Sequence, residues 1–315
     1  MNSGSSSLPG VRGAPVPAGP PDLELDAPAK VNLFLEVLAR RPDGYHEIET
    51  VMQAVDLCDR ISFWRREPGE LSISVAGGDA PADGSNLALR AAELVLESAG
   101  VREGLHLHIE KRIPSGGGLG GGSSDAGAVL VGLNRLWRLG SGVADLEKLG
   151  AQLGSDVNFF LHGGTALCRG RGEVVEPLDV RLEAGILLYL PGVHVSTADV
   201  YRGMIVPLTD GLRSGTRFAE RLCRGDLDVV GSGLFNRLEE TVFRVHPQLA
   251  SAKERLIGAR ALGALLSGSG STLYALAAPG DLEGLATEVS KALRRDDLRP
   301  VRPVSGWEWN SAVWG

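Results

Sequence analysis

The sequence predicts an α+β fold of two domains, each a mixed, mainly antiparallel sheet with helices. Three features carry that expectation. Several short alternating runs precede the first helical segment, strands and helices then follow without a regular strand-helix-strand rhythm, and beyond Pro191 the pattern turns to longer helical segments. This divides the chain into a tail at 1–22, a first domain at 23–180 and a second at 181–315.

The tail is rich in Ser, Gly and Pro without apolar periodicity, so disorder is expected there, and it lacks the long apolar core of a signal peptide. Strand-like runs follow at 23–27, 31–38, 48–56, 60–64 and 71–75. A helix is expected over 86–98, with Ser85 as its cap and Gly100 as its stop. Residues 105–109 alternate as a strand, which puts His106 and His108 on its outer face and not among metal ligands. After a glycine run, Ser123 or Ser124 is placed to cap a helix on which Ala126, Val129, Leu130, Leu133 and Trp137 recur at helical spacing. Two short helices, 144–153 and 156–162, break at Gly154, and 164–178 and 185–190 return to strand. The second domain reads as helices at 217–223, 227–243, 247–261 and 281–294, with a glycine-serine turn at 266–274 between two apolar runs. Trp307, Trp309 and Trp314 are expected to pack on the body of the protein.

Composition narrows the function. With 315 residues and 43% apolar content the chain can bury a full core, and no run approaches the length of a membrane span. A net charge of -7 argues against a nucleic-acid binder, so a polyanionic ligand must be held by backbone N–H groups and a few placed cations. Three widely spaced cysteines, Cys58, Cys168 and Cys223, match neither a zinc pattern nor a disulfide framework and favour a reducing compartment. The bias to Arg over Lys suits a GC-rich bacterial coding sequence, and a bacterial cytoplasmic location is expected over a plastid one.

The stretch with the clearest chemistry is Pro114-Ser115-Gly116-Gly117-Gly118-Leu119-Gly120-Gly121-Gly122-Ser123-Ser124-Asp125. Six glycines in seven positions cost too much chain entropy to be a mere connector. A bare backbone opening into a helix N-terminus is an anion site, and phosphate is the expected anion. A Walker A loop is excluded because no lysine follows Gly122. Gly116, Gly118 and Gly121 match the dinucleotide pattern formally, but Lys111, Arg112 and Pro114 precede the loop where a buried strand should end, and the nearest later acid outside the motif, Asp145, has a helical context.

The run instead resembles the phosphate loop of the galactokinase, homoserine kinase, mevalonate kinase and phosphomevalonate kinase superfamily. Further blocks in order along the chain are similar to one family within it, the 4-diphosphocytidyl-2-C-methyl-D-erythritol kinases. These are Pro28-Ala29-Lys30-Val31-Asn32, Arg41-Pro42-Asp43-Gly44-Tyr45-His46, Gly154-Ser155-Asp156-Val157-Asn158-Phe159-Phe160, Gly170-Arg171-Gly172-Glu173 and Ser267-Gly268-Ser269-Gly270-Ser271. The resemblance implies a two-domain small-molecule kinase fold, with an ATP-binding and catalytic first domain and a substrate-binding second one. It also implies transfer of the γ-phosphate of ATP to the 2-hydroxyl of the cytidyl-linked methylerythritol in the non-mevalonate isoprenoid pathway.

The same resemblance assigns roles. Lys30 and Asp156 are the catalytic pair, Asp156 orienting the hydroxyl at a helix start that favours its carboxylate and Lys30 steadying the passing charge. Pro114, Gly116, Gly117, Gly118, Gly120, Gly121, Gly122, Ser123 and Ser124 cradle the ATP phosphates. Tyr45 is expected to stack on the cytosine, worth roughly 1–3 kcal/mol, with His46 hydrogen-bonding to it and Tyr201 on the other side, where the family often has Phe. Asn32, Asn158, Thr197, Gly268, Ser269 and Gly270 complete the expected substrate contacts. Mg²⁺ is expected with ATP; the sequence names no carboxylate as its ligand, and Ser123 or Ser124 is a candidate. The expected partners are ATP and the cytidyl substrate, without nucleic acid or membrane, in a monomer or weak homodimer.

Overall fold

The computed structural model describes residues 14–204 and 213–306; Trp307, Trp309 and Trp314 lie outside them. Two antiparallel strands form its spine, β1 (Leu23–Arg40) and β2 (His46–Arg66), each longer than the alternation suggests. The apparent breaks are irregularities in continuing ladders. Pro28, which has no amide proton to donate, sits at a register shift beside Ala29, and a second shift falls between Asn32 and Phe34. Between these shifts the Lys30 N–H donates to the carbonyl of Leu119 at 3.0 Å, which ties the strand to the glycine run.

β3 (Leu71–Ala76) and β4 (Gly104–Glu110) run parallel, linked through α1 (Leu87–Ala99). Asn86 caps α1 in place of the expected Ser85: its Oδ1 accepts from the Ala88 N–H at 2.9 Å, whereas the Ser85 hydroxyl donates to Asp83. α2 (Gly121–Leu136) also starts earlier than expected, after a left-handed Gly120, so neither Ser123 nor Ser124 is its cap. α3 (Val143–Leu153) and α4 (Val157–His162) follow, and the expected strand at 164–178 is a hairpin of β5 (Thr165–Arg169) and β6 (Val174–Leu178).

The second half contains β7 (Gly185–Tyr189), α5 (Thr197–Arg202), α6 (Gly215–Cys223) and α7 (Leu227–Gly233). The single helix expected at 227–243 is broken. Gly231 and Gly233 weaken it, and Phe235 and Asn236 leave as β8 (Phe235–Asn236) to pair with β1 before α8 (Glu239–Val245) resumes. α9 (Pro247–Gly258), β9 (Gly263–Leu266), β10 (Leu273–Ala277), α10 (Leu282–Val289) and β11 (Leu298–Val301) complete the described chain. The last helix is thus shorter than the expected 281–294.

The first sheet has the order β3-β4-β2-β1-β8, with β5 on β2 and β6 on β5; the second is β11-β7-β10-β9. Helices α1 to α4 cover one face of the first sheet around Phe63, Leu107, Val129 and Leu161. Its β1 half packs on the second sheet through Val31, Phe34, Ile186, Leu265 and Tyr274. The two halves therefore share one apolar layer, and β8 carries the second half into the first sheet. There Arg237 donates two hydrogen bonds to the fully buried Glu36, at 2.7 and 2.8 Å.

Residues 14–22, expected to be disordered, lie against this sheet instead. The Ala14 and Asp22 N–H groups donate to the carbonyls of Ile73 and Phe63, and Trp64 Nε1 donates to the Gly19 carbonyl. The coverage explains a second departure, the burial of His106 on the supposed outer face. His106 is 1% exposed under Trp64, with its two ring nitrogens against the hydroxyls of Ser72 and Ser74. Burial, helped by the neighbouring His108 and Arg66 charges, pulls its pKa down to about 4.

An unfolded chain, with His106 near its ordinary pKa, binds a proton that the folded chain refuses between those values. Stability from this residue is therefore present above about pH 6.5 and is lost as pH falls toward 4. Thermal unfolding across pH 8 to 4 is expected to show a steeper acid-side loss of Tm in the parent than in His106→Gln. Parallel curves for the two proteins would contradict this origin of the acid sensitivity.

Candidate active site

A cavity of about 1120 Å³ is bordered by β1, β2, the start of α2, α5 and the turn at Gly268 and Ser269, and the glycine run forms one wall of it. Local packing explains why the run is glycine. A Cβ on Gly118 would lie 2.1 Å from the Ser267 carbonyl oxygen, and Gly118 has φ +77°. At Gly120, φ +74°, it would meet the Phe160 ring at 2.9 Å and the Lys30 side chain at 3.1 Å. The second glycine-serine turn holds the first run: Thr272 N–H donates to the Gly117 carbonyl at 3.1 Å and the Ser267 hydroxyl to the Gly118 carbonyl at 2.9 Å. Gly120, Gly121, Gly122 and Ser123 then bring the N-terminus of the sixteen-residue helix α2 to the cavity wall, where its dipole favours an anion.

Behind this end lies a charge cluster that sequence reasoning missed. The buried Lys111 ammonium bonds to Asp59 and, at 2.8 Å, to Asp125. Asp59 also accepts the N–H groups of Arg112 and Ile113 at the start of the glycine run. Burial alone would lower the Lys111 pKa, but the charges of Asp125 and Asp59 outweigh it and hold the ammonium above its usual range. Burial pushes Asp125 the other way, up to about 7, partly offset by Lys111. Lys111 shortly precedes the glycine motif and Asp125 ends it, but Asp59 lies on β2, and only the fold brings it there.

In the wall of the cavity lies Lys30, on β1 and 3% exposed. Its Nζ lies 2.5 Å from Asn32 Oδ1 and 3.6 Å from Asp156 Oδ2. Burial draws its pKa below the usual lysine range, while the Asp156 charge pulls back. Asp156 precedes α4 as its N-cap residue without making a side-chain capping bond, and its side chain is 30% exposed at the cavity. The pair expected from sequence is thus brought together, beside the glycine run.

The other end of the cavity is lined by Tyr45, His46, Arg171, Thr197 and Tyr201, with Gly268 and Ser269 nearby. The turn Asp43-Gly44 presents Tyr45, 52% exposed, and the Arg171 guanidinium lies 4.7 Å over its ring. His46 stacks on Tyr201 with centroids 5.0 Å apart, so one face of Tyr201 is already covered by imidazole. Burial, and then Arg40, lower the His46 pKa and favour its neutral ring. Thr197 and Ser269 share a hydrogen bond at 2.7 Å. Arg171 belongs to the Gly170–Glu173 block, but nothing in one sequence shows that it covers Tyr45.

Three expected contact residues are not brought to the cavity wall. Ser124 is fully buried and donates to the Pro28 carbonyl at 2.6 Å, since the earlier helix start turns it toward β1. Asn158 is held beneath α4, donating to the Glu173 carbonyl at 3.0 Å and packed on Gly150. Gly270 folds back on Leu266 inside its turn. Pro114, Gly116, Gly117 and the remaining expected residues do line the cavity. No group of three or more His, Cys, Asp or Glu side chains fit to hold a metal occurs among the described residues.

Comparison with known proteins agrees with this geometry. The GHMP kinases N terminal domain model matches residues 86–164, and the GHMP kinases C terminal model matches residues 218–295. A protein of Pelotomaculum thermopropionicum named 4-diphosphocytidyl-2-C-methyl-D-erythritol kinase is 45% identical over 271 residues, covering 86% of this chain and 93% of its own length. One of the same name from Shouchella clausii is 44% identical over 282 residues, covering 89% and 94%. A crystal structure of 4-(cytidine 5'-diphospho)-2C-methyl-D-erythritol kinase, 37% identical, matches with a TM-score of 0.74 over 89% of this chain and 99% of that one. A homoserine kinase from Cytophaga hutchinsonii, 23% identical with a TM-score of 0.71 over 90% and 95%, shares the fold. By fold, by its family-model matches and by identity over most of its length, this chain belongs to the GHMP kinases and, among them, to the 4-diphosphocytidyl-2-C-methyl-D-erythritol kinase family.

Proposed function

We propose that the protein transfers the γ-phosphate of ATP to the 2-hydroxyl of 4-diphosphocytidyl-2-C-methyl-D-erythritol, with Lys30 and Asp156 at the point of transfer. The observation that carries this reading is their placement in one cavity, between a glycine-lined helix N-terminus and the Tyr45, His46 and Tyr201 group. The methyl group shares the acceptor's carbon, so the alcohol is tertiary and crowded, and alignment matters more than basicity. Asp156 accepts a hydrogen bond from the hydroxyl and takes its proton as the oxygen-phosphorus bond forms and the bond to the leaving ADP oxygen breaks. The Lys30 ammonium lies against the charge that moves between these oxygens.

Gly116 to Gly122 and Ser123 hold the ATP phosphates at the N-terminus of α2. Tyr45 supplies the stacking face for cytosine, backed by Arg171, and a neutral His46 offers one donor and one acceptor to the base edge. Tyr201 backs His46 in this arrangement, and Asn32, Thr197, Gly268 and Ser269 border the rest of the substrate. Mg²⁺ suits a site of this kind when held mainly by the phosphates, with the Ser123 hydroxyl as the protein donor at the wall, because Ser124 is committed to Pro28. When bound it neutralises phosphate charge.

A transfer assay with four acceptors, the cytidyl substrate, free methylerythritol phosphate, homoserine and mevalonate, tests the reading. ATP-dependent phosphorylation of the cytidyl compound alone is expected, and activity on mevalonate alone would overturn it. For the residues, Asp156→Asn is expected to bind ATP within threefold of the parent and to lose at least about a hundredfold in kcat. A rate within threefold of the parent would remove Asp156 from the reaction.

A further inference from the structure

Thr50, on β2 at the edge of the cavity, has no part in the roles above, yet its one hydroxyl proton has a definite destination. It donates to the Phe34 carbonyl at 2.6 Å, so toward any further partner the hydroxyl is an acceptor only. That partner is the Asn32 side chain, whose Nδ2 lies 2.9 Å away. A carboxamide is planar, and with its NH₂ end on Thr50 its carbonyl end faces the Lys30 ammonium, 2.5 Å away. Lys30, Asn32 and Thr50 are all buried, at 3%, 3% and 1% exposure. Reversing the amide would set NH₂ against an ammonium and a carbonyl against a hydroxyl with no proton left to give. In a site of low dielectric both contacts are repulsive.

We propose that Thr50 is a positioning residue: by committing its proton to the Phe34 carbonyl it fixes the orientation of the Asn32 amide, and the Asn32 carbonyl in turn holds the Lys30 ammonium beside Asp156. The β1 backbone at this point is anchored separately, by the Tyr274 hydroxyl donating to the Asn32 carbonyl oxygen at 2.9 Å and by Lys30 N–H on Leu119. The side-chain direction is thus what remains for Thr50 to set. The titratable groups that face Lys30 are Asp156 at the start of α4 and Cys168 on β5; Cys168 is the ladder partner of Thr50, but the Thr50 hydroxyl bonds to Phe34 and Asn32 and to neither of them.

The inference rests on the kinase reading only where it gives Lys30 a part in transfer, so its test combines a turnover readout with one that needs no turnover. The chain has five lysines, which makes a ¹³Cε-lysine NMR titration of Lys30 tractable. In Thr50→Val, close in shape but without the hydroxyl, kcat is expected to fall about tenfold with the KM for ATP within twofold, as loss of one oriented hydrogen bond to a charge implies. The Lys30 titration midpoint is expected to move down, because the freed amide no longer fixes its carbonyl on the ammonium. Thr50→Ser, which restores the hydroxyl, is expected to recover both values.

A Lys30 midpoint unchanged in Thr50→Val, or a Thr50→Ser variant as impaired as Thr50→Val, would overturn the proposal. If the parent phosphorylates none of the four acceptors, the substrate reading fails and the titration alone decides this one. Should Thr50→Val not fold, the parent protein decides it: cross-relaxation from the Asn32 NH₂ protons to the Thr50 methyl supports the orientation, and cross-relaxation to the Lys30 ε-protons instead refutes it.

Discussion

Keeping the Lys30 ammonium charged inside the protein is the constraint around which the cavity is built. An ammonium taken out of water without partners costs several kcal/mol or gives up its proton, and burial does lower the Lys30 pKa. Asn32 and Asp156 offset that cost from two different elements, β1 and the start of α4. The irregular ladder around Lys30 joins a third, since the Lys30 N–H goes to Leu119 in the glycine run. A fourth tie reaches from the second sheet, where Tyr274 on β10 donates to Asn32. Lys30 and Asn32 on a bulged strand thus fix where the glycine run, the carboxylate and the second half of the chain meet.

The same economy appears in the pairing of the two glycine segments. The first run has almost no side chains with which to hold itself and is shaped by the second, whose Ser267 hydroxyl and Thr272 N–H donate to the Gly118 and Gly117 carbonyls. Asn236 completes the arrangement by donating to the Leu266 and Gly268 carbonyls from β8, which the Glu36 and Arg237 ion pair locks onto β1. A loop preorganised in this way would spend little binding energy on ordering itself around an anion. The cost is that Gly117 and Gly118 admit no side chain without moving the opposite loop.

Much of this was legible in the sequence where chemistry and local pattern coincide. The glycine run, Lys30, Asp156, Tyr45 and His46 carry residue types that their chemistry requires, and the first two lie against each other as expected. What a single sequence hides is geometry that depends on distant partners. Ser124 has the right chemistry for phosphate, but one more turn of helix points it at Pro28. His106 alternates like a surface residue, and only the packing of residues 14–22 and Trp64 buries it. The long helix expected at 227–243 fails because two residues are worth more to the sheet edge of β1 than to helix continuity. Asp59 and Thr50 had no local signal at all and Arg171 only its place in a short block, since each acts on a residue far away in the chain.

The measurement that bears most directly on the central claim is single-turnover phosphate transfer in Lys30→Met, with ATP binding measured on the same preparation. Methionine keeps most of the length of the side chain and removes its charge. If the buried ammonium serves the transfer itself while the glycine run holds the phosphates, ATP binds within threefold of the parent and transfer slows at least about a hundredfold. Transfer within threefold of the parent's rate would contradict it.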